Sequence, residues 1–258
     1  MRGVTPRTHL SPGALQRLMT DAWPPVERAQ LGEWELRAGH GFTGRANSAL
    51  AVGSPGLPLP EALTAVQHWY AARDLPASLV VAGPLGFDPA MDPAGAAALD
   101  LGWRSRVLTL TLTAALDDVR RHHDPPPSGV ELRVDPVMSE GWFQALTRYR
   151  AADRTAVAAV VHGSPAQRFV TAVEDDVVIG IGRLGVSGAW AGVGAMWVDA
   201  AHRRRGLART MLNHLAHEAN SLGASWLHLQ TDSDNRAALA LYRSMGFTDH
   251  HAYVYLSA

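Results

Sequence analysis

The chain has 258 residues, enough for one large domain or two ordinary ones, and its 47% apolar against 18% charged residues suits a packed core rather than a disordered chain. A formal net charge of −1 supplies no single-signed field for phosphate backbones or anionic membranes, which argues against nucleic-acid and membrane partners. With no cysteine, disulfides, thiolate metal sites and cysteine nucleophiles are excluded.

The opening MRGVTPRTHLSPGALQ lacks the apolar core of a signal peptide, and no run approaches the ~18–20 apolar residues that span a bilayer, so a cytoplasmic protein is expected. In the first half, GHGFTGRANSAL (39–50) reads as a glycine-rich hairpin turn. Its Arg45 and Asn47 are the groups there with reach toward a polar ligand. Then EALTAVQHWYAAR reads as a helix, ASLVVA as a strand, GAAALDLGW as a helix and VLTLTL as a strand. Three successive prolines in DPPPSG, Asp124 to Gly129, have no N–H to donate and favour an extended linker. The expected division is therefore a lobe over 1–124, a linker over 125–129 and a second lobe over 130–258.

Beyond the linker, SEGWFQALTRYRAADRTAVAAVV carries apolar residues three and four apart and reads as one or two helices, with Ser139 as N-cap. RFVTAVED and VVIGIGRLGV read as strands joined in a hairpin at Asp175 and Asp176. A third strand, WAGVGAMWVD, holds Gly192 and Gly194, and interior glycines there predict a bulge or a close approach. A helix follows from about Gly206 to Leu222, with Leu207, Met211, Leu215 and Leu222 on one face and Gly223 as its stop. ASWLHLQT is a strand, Asn235 to Met245 a helix, and AYVYL a closing strand. The order predicts a mixed α/β fold, a mixed sheet flanked by helices. The first half repeats this helix-strand-helix-strand order: Ala77 to Gly102 and Ala224 to Gly246 both begin Ala-Ser and close on glycine and an aromatic, which favours duplication.

The sharpest local feature is RRRGLAR, Arg203 to Arg209, placed after a strand and opening a helix. First-turn amides and the positive dipole end make an anion site, which Gly206 opens to close approach and the arginines reinforce. Neither GxxxxGK[ST] nor GxGxxG is present at this strand end.

With AMWVD, RRRGLAR and NRAALALYRSMGF in that order, the second half resembles the GNAT superfamily of acyl-CoA-dependent N-acetyltransferases. Arg203, Gly206 and Ala208 satisfy the family's turn pattern. The resemblance implies acetyl-CoA as cosubstrate, held by the backbone of Met196, Trp197 and Val198 at the acyl arm. It implies Arg203, Arg204, Arg205, Gly206, Leu207, Ala208 and Arg209 around the pyrophosphate, and no metal. It further implies that Asn235 contacts the cofactor arm and that Tyr242, two helical turns on, protonates the departing thiolate. The implied reaction is direct attack of a primary amine on the thioester.

Gln230 stands where some relatives carry a glutamate base. Asp232 is the first substitute, with His228 and Glu174 behind it. The histidines, among them His214 with His217 and the pairs His122/His123 and His250/His251, read as surface groups rather than metal ligands. The first lobe resembles a degenerate copy. Its equivalent of the turn, GSPGLPLP, is poor in N–H donors, and Ala98 stands four residues before Gly102 where Tyr242 precedes Gly246. Trp142, Phe143 and Tyr149 either line an acceptor channel or pack a helix. A non-catalytic acyl-CoA sensor or an interaction module is the alternative function, and a monomer or homodimer is expected.

Overall fold

The computed structural model describes residues 9–122 and 125–258. Residues 1–8, where the leader was sought, and His123 and Asp124, where a histidine pair and the linker were placed, lie outside the described residues.

The first half runs α1 (Pro12–Met19), β1 (Glu27–Leu31), β2 (Trp34–Ala38), β3 (Ala49–Leu50), α2 (Leu59–Ala71), β4 (Ser78–Gly83), α3 (Pro93–Asp100), β5 (Arg104–Ser105), β6 (Thr109–Ala115) and α4 (Leu116–Arg120). The second runs β7 (Glu131–Asp135), α5 (Glu140–Thr147), α6 (Arg154–Val161), β8 (Ala166–Glu174), β9 (Val177–Ser187), β10 (Trp190–Val198), α7 (Leu207–Ser221), β11 (Trp226–Asp232), α8 (Arg236–Ser244) and β12 (Thr248–Ser257). Side-chain oxygens of Ser11, Asp92, Ser139, Asp153 and Asn235 start five of the helices by accepting a first-turn amide. Asp175 and Asp176 both take left-handed backbone, with φ of 49° and 62°, as a two-residue hairpin between β8 and β9 requires.

All twelve strands join one sheet, in the order β1-β2-β3-β4-β12-β6-β11-β10-β9-β8-β7, with β5 against β12. The two halves of the sheet repeat one another. β3 and β4 are parallel, as are β10 and β11, and the other pairings are antiparallel. β4 continues into β12 and β11 into β6, so each half is completed by the last strand of the other. β6 and β12 pair at the centre of the sheet, between the two halves. Each half's cluster therefore takes in the exchanged strand: Leu112 and Ala114 of β6 pack with Leu227 and Leu229 of β11 under α7, while Val254 and Leu256 of β12 pack with Leu79 and Val81 of β4 under α2 and α3. A third cluster joins Trp23, Phe42 and Ala46 to Trp142, Val157, Val160 and Ile181 of the second half.

Candidate active site

A cleft opens where β10 leaves β11. The two strands pair only from Trp190 to Val193 against Trp226 to Leu229. Beyond Val193 the register of β10 with β9 shifts between Gly194 and Trp197, and Ala195 takes a φ of 52°. This bulge, one of the two outcomes the glycines of the strand predict, starts at Gly194 and turns the strand away. Gly192 and Gly194 have a different task. A Cβ on Gly192 would lie 2.5 Å from His228 Cε1 and 2.7 Å from Ala22 Cβ, and one on Gly194 would lie 2.9 Å from the Trp23 ring. Both glycines admit side chains of the first half or its neighbours against the sheet.

The cleft has a volume of about 730 Å³ and both halves build it. From the second half come Val193 to Met196, Gln230 to Asp232, Asn235 and Tyr242; from the first come Thr43 to Arg45, Asn47, Arg106, Val107 and Thr109, with Tyr253 and Tyr255 of β12 between them. Trp197, Val198 and the turn from Arg203 to Arg209 are not part of this wall. Trp197 instead stacks on Tyr149, ring centroids 5.8 Å apart.

Tyr242 is 8% exposed, and burial pushes its phenol up to about 12, against the pull of the Arg45 charge. It is therefore neutral near pH 7 and holds a proton to give. Asn235 caps α8, its Oδ1 accepting the Ala238 amide at 3.2 Å. The capping role and a place on the cleft wall coexist. Asp232 ends β11 in an exposed position, 3.5 Å from the Thr109 hydroxyl that donates to it.

The basic turn meets α7 at Gly206, whose φ of 84° makes a left-handed N-cap without a capping side chain. The first-turn amides of Leu207 and Ala208 thus face no side-chain acceptor, and the end of the helix is open to an anion. Its arginines are divided. Arg203 Nε donates to the Val198 carbonyl, Arg209 donates to Ser244 Oγ at 2.7 Å and ties α7 to α8, and Arg205 grips Glu174 with two bonds of 2.9 and 2.6 Å. Arg205, helped by His202, holds the Glu174 carboxyl below its usual range, and Glu174 does not line the cleft. His228 is not at the strand end either. It lies buried in the middle of β11, its ring pushed down to about 3 by burial, then by the charges of Arg45 and His251. Its Nε2 has no hydrogen-bond partner among the described residues.

Gln230 is held at both ends: Tyr253 Oη donates to its Oε1 at 3.1 Å, and its Nε2 donates to Met19 Sδ at 3.3 Å. Of the three aromatics considered for a channel, Tyr149 reaches the cleft. Trp142 is fully buried with its Nε1 on the Gly182 carbonyl, and Phe143 lies under Arg154. The loop expected as a hairpin forms a short 3-10 turn at Gly44–Ala46, which carries Arg45 over the Trp23 ring at 4.6 Å. Asn47 fixes that loop, accepting from the amides of Gly39 and Gly41 and donating to the Thr43 carbonyl. Sequence reasoning missed Tyr253 and Tyr255, although their two-residue spacing on a strand puts both on one face. It also missed Trp23. Among the described residues no three His, Asp or Glu side chains gather to hold a metal ion, and no helix is long and apolar enough to cross a membrane.

Similar proteins fit this geometry. The chain is 24% identical over 252 residues to the uncharacterized N-acetyltransferase YobR of Bacillus subtilis, covering 92% of this chain and 96% of that one. Over 52 residues, 20% of this chain and 35% of the relative, it is 42% identical to the ribosomal protein bS18 alanine N-acetyltransferase of Escherichia coli. Its fold is similar to a GCN5-related N-acetyltransferase from Kribbella flavida, with a TM-score of 0.70, 18% identity and 97% and 96% of the two chains covered. It is similar too to a tandem GNAT protein from the clavulanic acid biosynthesis pathway, with a TM-score of 0.64, 16% identity and 99% and 90% covered. The family described as the probable histone acetyltransferase Rv0428c C-terminal matches residues 13–256. The chain belongs to that family, within the GNAT superfamily, and is an acetyl-transferring enzyme.

Proposed function

We propose that the enzyme moves an acetyl group from acetyl-CoA to a primary amine by direct attack on the thioester. The observation that carries this reading is the parting of β10 from β11 beyond Val193, with Tyr242 on the wall of the gap so made. Amides freed from the ladder around Ala195 and Met196 are donors for the developing oxyanion, and the uncapped end of α7 suits a diphosphate. Met196, Trp197, Val198 and Asn235 would hold the arm, and Arg203, Arg204, Arg205, Gly206, Leu207, Ala208 and Arg209 the diphosphate, although Arg205 must share itself with Glu174.

In the reaction the amine N–C bond forms and the C–S bond breaks. The Tyr242 phenol gives its proton to the departing thiolate, and the amine's surplus proton passes to solvent, with Asp232 the one carboxylate on the wall available to relay it. Gln230 takes no proton, so the site suits an amine that reaches it neutral, such as an α-amino group with a pKa near 8. In this reading 130–258 is the catalytic lobe, and 1–124 is a degenerate lobe that supplies the far wall.

The test is thiol release from acetyl-CoA over an amine panel, with calorimetry of coenzyme A binding. Tyr242→Phe is expected to lower kcat by roughly 10²-fold while leaving coenzyme A affinity unchanged. Absence of any coenzyme A binding overturns the reading.

A further inference from the structure

The cleft carries more positive charge than the transfer of a neutral acetyl group needs. Arg45, Arg106 and Arg150 lie on its wall, against Asp232 alone among carboxylates of the described residues. Arg45 is the central one. Its guanidinium rests on Trp23, and Nη1 would sit 3.6 Å from a Cβ on Gly194, which places it beside the point where β10 turns away. Half-buried there, it has neither a hydrogen bond nor a carboxylate partner among the described residues. Its charge reaches Tyr149, Tyr242 and Tyr253, around the whole cleft.

The protein beneath does not neutralise this charge. Arg183, fully buried, lies under the same indole at 5.0 Å and gives its hydrogens to the carbonyls of Val161 and Ala22 and to Ser164 Oγ, not to a carboxylate. Arg37, also buried, is held by the Ser48 carbonyl and by the hydroxyls of Ser48 and Thr20. Arg45 and Arg183 thus share the Trp23 ring, and the hydrogen-bond partners of Arg183 and Arg37 are dipoles, with the charge of Glu35 acting on Arg37. Buried cations without counter-ions are costly, and a bound anion would lower that cost.

Resting on the acetyl-transfer reading, we infer that the acceptor is an amine carrying its own oxyanion, a carboxylate or a phosphate, which docks on Arg45. The guanidinium fork matches such a group with two parallel bonds. Trp23 below and the Asn47-bound loop hold the fork in place before the ligand arrives, so little side-chain entropy is lost on binding. The same cation, close to the attacking nitrogen, destabilises its ammonium form and favours the neutral nucleophile. That supplies electrostatically part of what a glutamate in place of Gln230 would supply as a base.

The experiment compares matched acceptors that differ only in the anion: amino acids as free acids and as carboxamides, and phosphoethanolamine against ethanolamine. kcat/KM is measured for wild type, Arg45→Gln and Arg45→Lys. Calorimetry follows acetyl-CoA binding and, with coenzyme A present, the binding of N-acetylglycine against N-acetylglycinamide. Wild type is expected to favour the charged member of at least one pair by roughly ten- to hundredfold. Which pair responds identifies carboxylate or phosphate. Arg45→Gln should erase that preference, chiefly through KM, Arg45→Lys should keep part of it, and acetyl-CoA affinity should hold in both. Equal use of charged and uncharged acceptors with equal binding of the two products overturns the proposal, as does an Arg45→Gln variant that slows both members alike. If acetyl-CoA itself fails to bind, the acetyl-transfer reading falls first; if it binds and the anion brings no advantage, only this inference falls.

Discussion

Lowering the pH is a perturbation whose effect follows from two buried rings. His228, 4% exposed, and His251, fully inaccessible, are both pushed down to about 3 from the 6.5 of a free side chain. Burial is the leading cause at each, followed by Arg45 and His251 at the first and by His250 at the second. Both rings stay neutral in the folded protein and gain a proton when it unfolds, so stability is complete above pH 6.5 and declines as pH falls toward the folded value near 3. Each contributes up to about 1.4 kcal/mol per pH unit, so about 4 kcal/mol is lost between about pH 8 and about pH 5 from the pair. That is a large part of the ~5–15 kcal/mol of an ordinary domain. Carboxylates such as Glu27 and Asp199, whose values lie below 4.5 and 3.8, act at lower pH. His250 and His162 are shifted downward as well and leave a residual slope. Urea unfolding followed by tryptophan fluorescence across this range measures the effect. His228→Asn and His251→Asn should each flatten the profile, and the double variant should flatten it most, whatever its stability at pH 8. A double variant whose profile runs parallel to wild type would refute the reasoning.

Gly192→Ala puts a methyl within 2.5 Å of His228 and 2.7 Å of Ala22, both held in the core, and should cost about 1–3 kcal/mol in the urea midpoint; an unchanged midpoint would show that the neighbours yield freely. Gly206→Glu meets no atom within 4 Å but brings a carboxylate to the open end of α7. It should weaken coenzyme A binding at least ~10-fold, with roughly 1–2 kcal/mol of backbone strain that Gly206→Ala shares. Calorimetry with all three proteins separates charge from strain, and a Gly206→Glu protein that binds as wild type would move the diphosphate elsewhere.

Local order was legible because local forces set it. Helical spacing of apolar residues locates α7 and α8 to within about a residue, and the aspartate pair at 175 and 176 marks its hairpin, since each signal lies within a few residues of the structure it causes. The joining of the halves was not legible. Thr111 of β6 pairs with Gln230 of β11 across nearly half the chain, and nothing in either segment names its partner. The same limit applies to the site. Tyr242, Asn235 and Met196, which the family resemblance implies, and Asp232, the substitute base, do share one cleft wall. The ion pair that holds Glu174 on Arg205 and the loop that brings Arg45 over Trp23 depend on folding of distant segments. The glycines of β10 predict a bulge or a close approach, and both occur, but which groups approach, His228, Ala22 and Trp23, is set by segments far away in the sequence.

The crossing of β6 and β12 bears on how such a chain can change over time. Two copies that have traded their final strands are each other's scaffold. Deleting one exposes a sheet edge and a core face in the survivor. If, as proposed, one copy does not grip the coenzyme, it is retained for the wall it provides, and its loops are at liberty to drift toward whatever acceptor the other copy serves. On that proposal, new specificity in this lineage would be written first into the copy that does no chemistry.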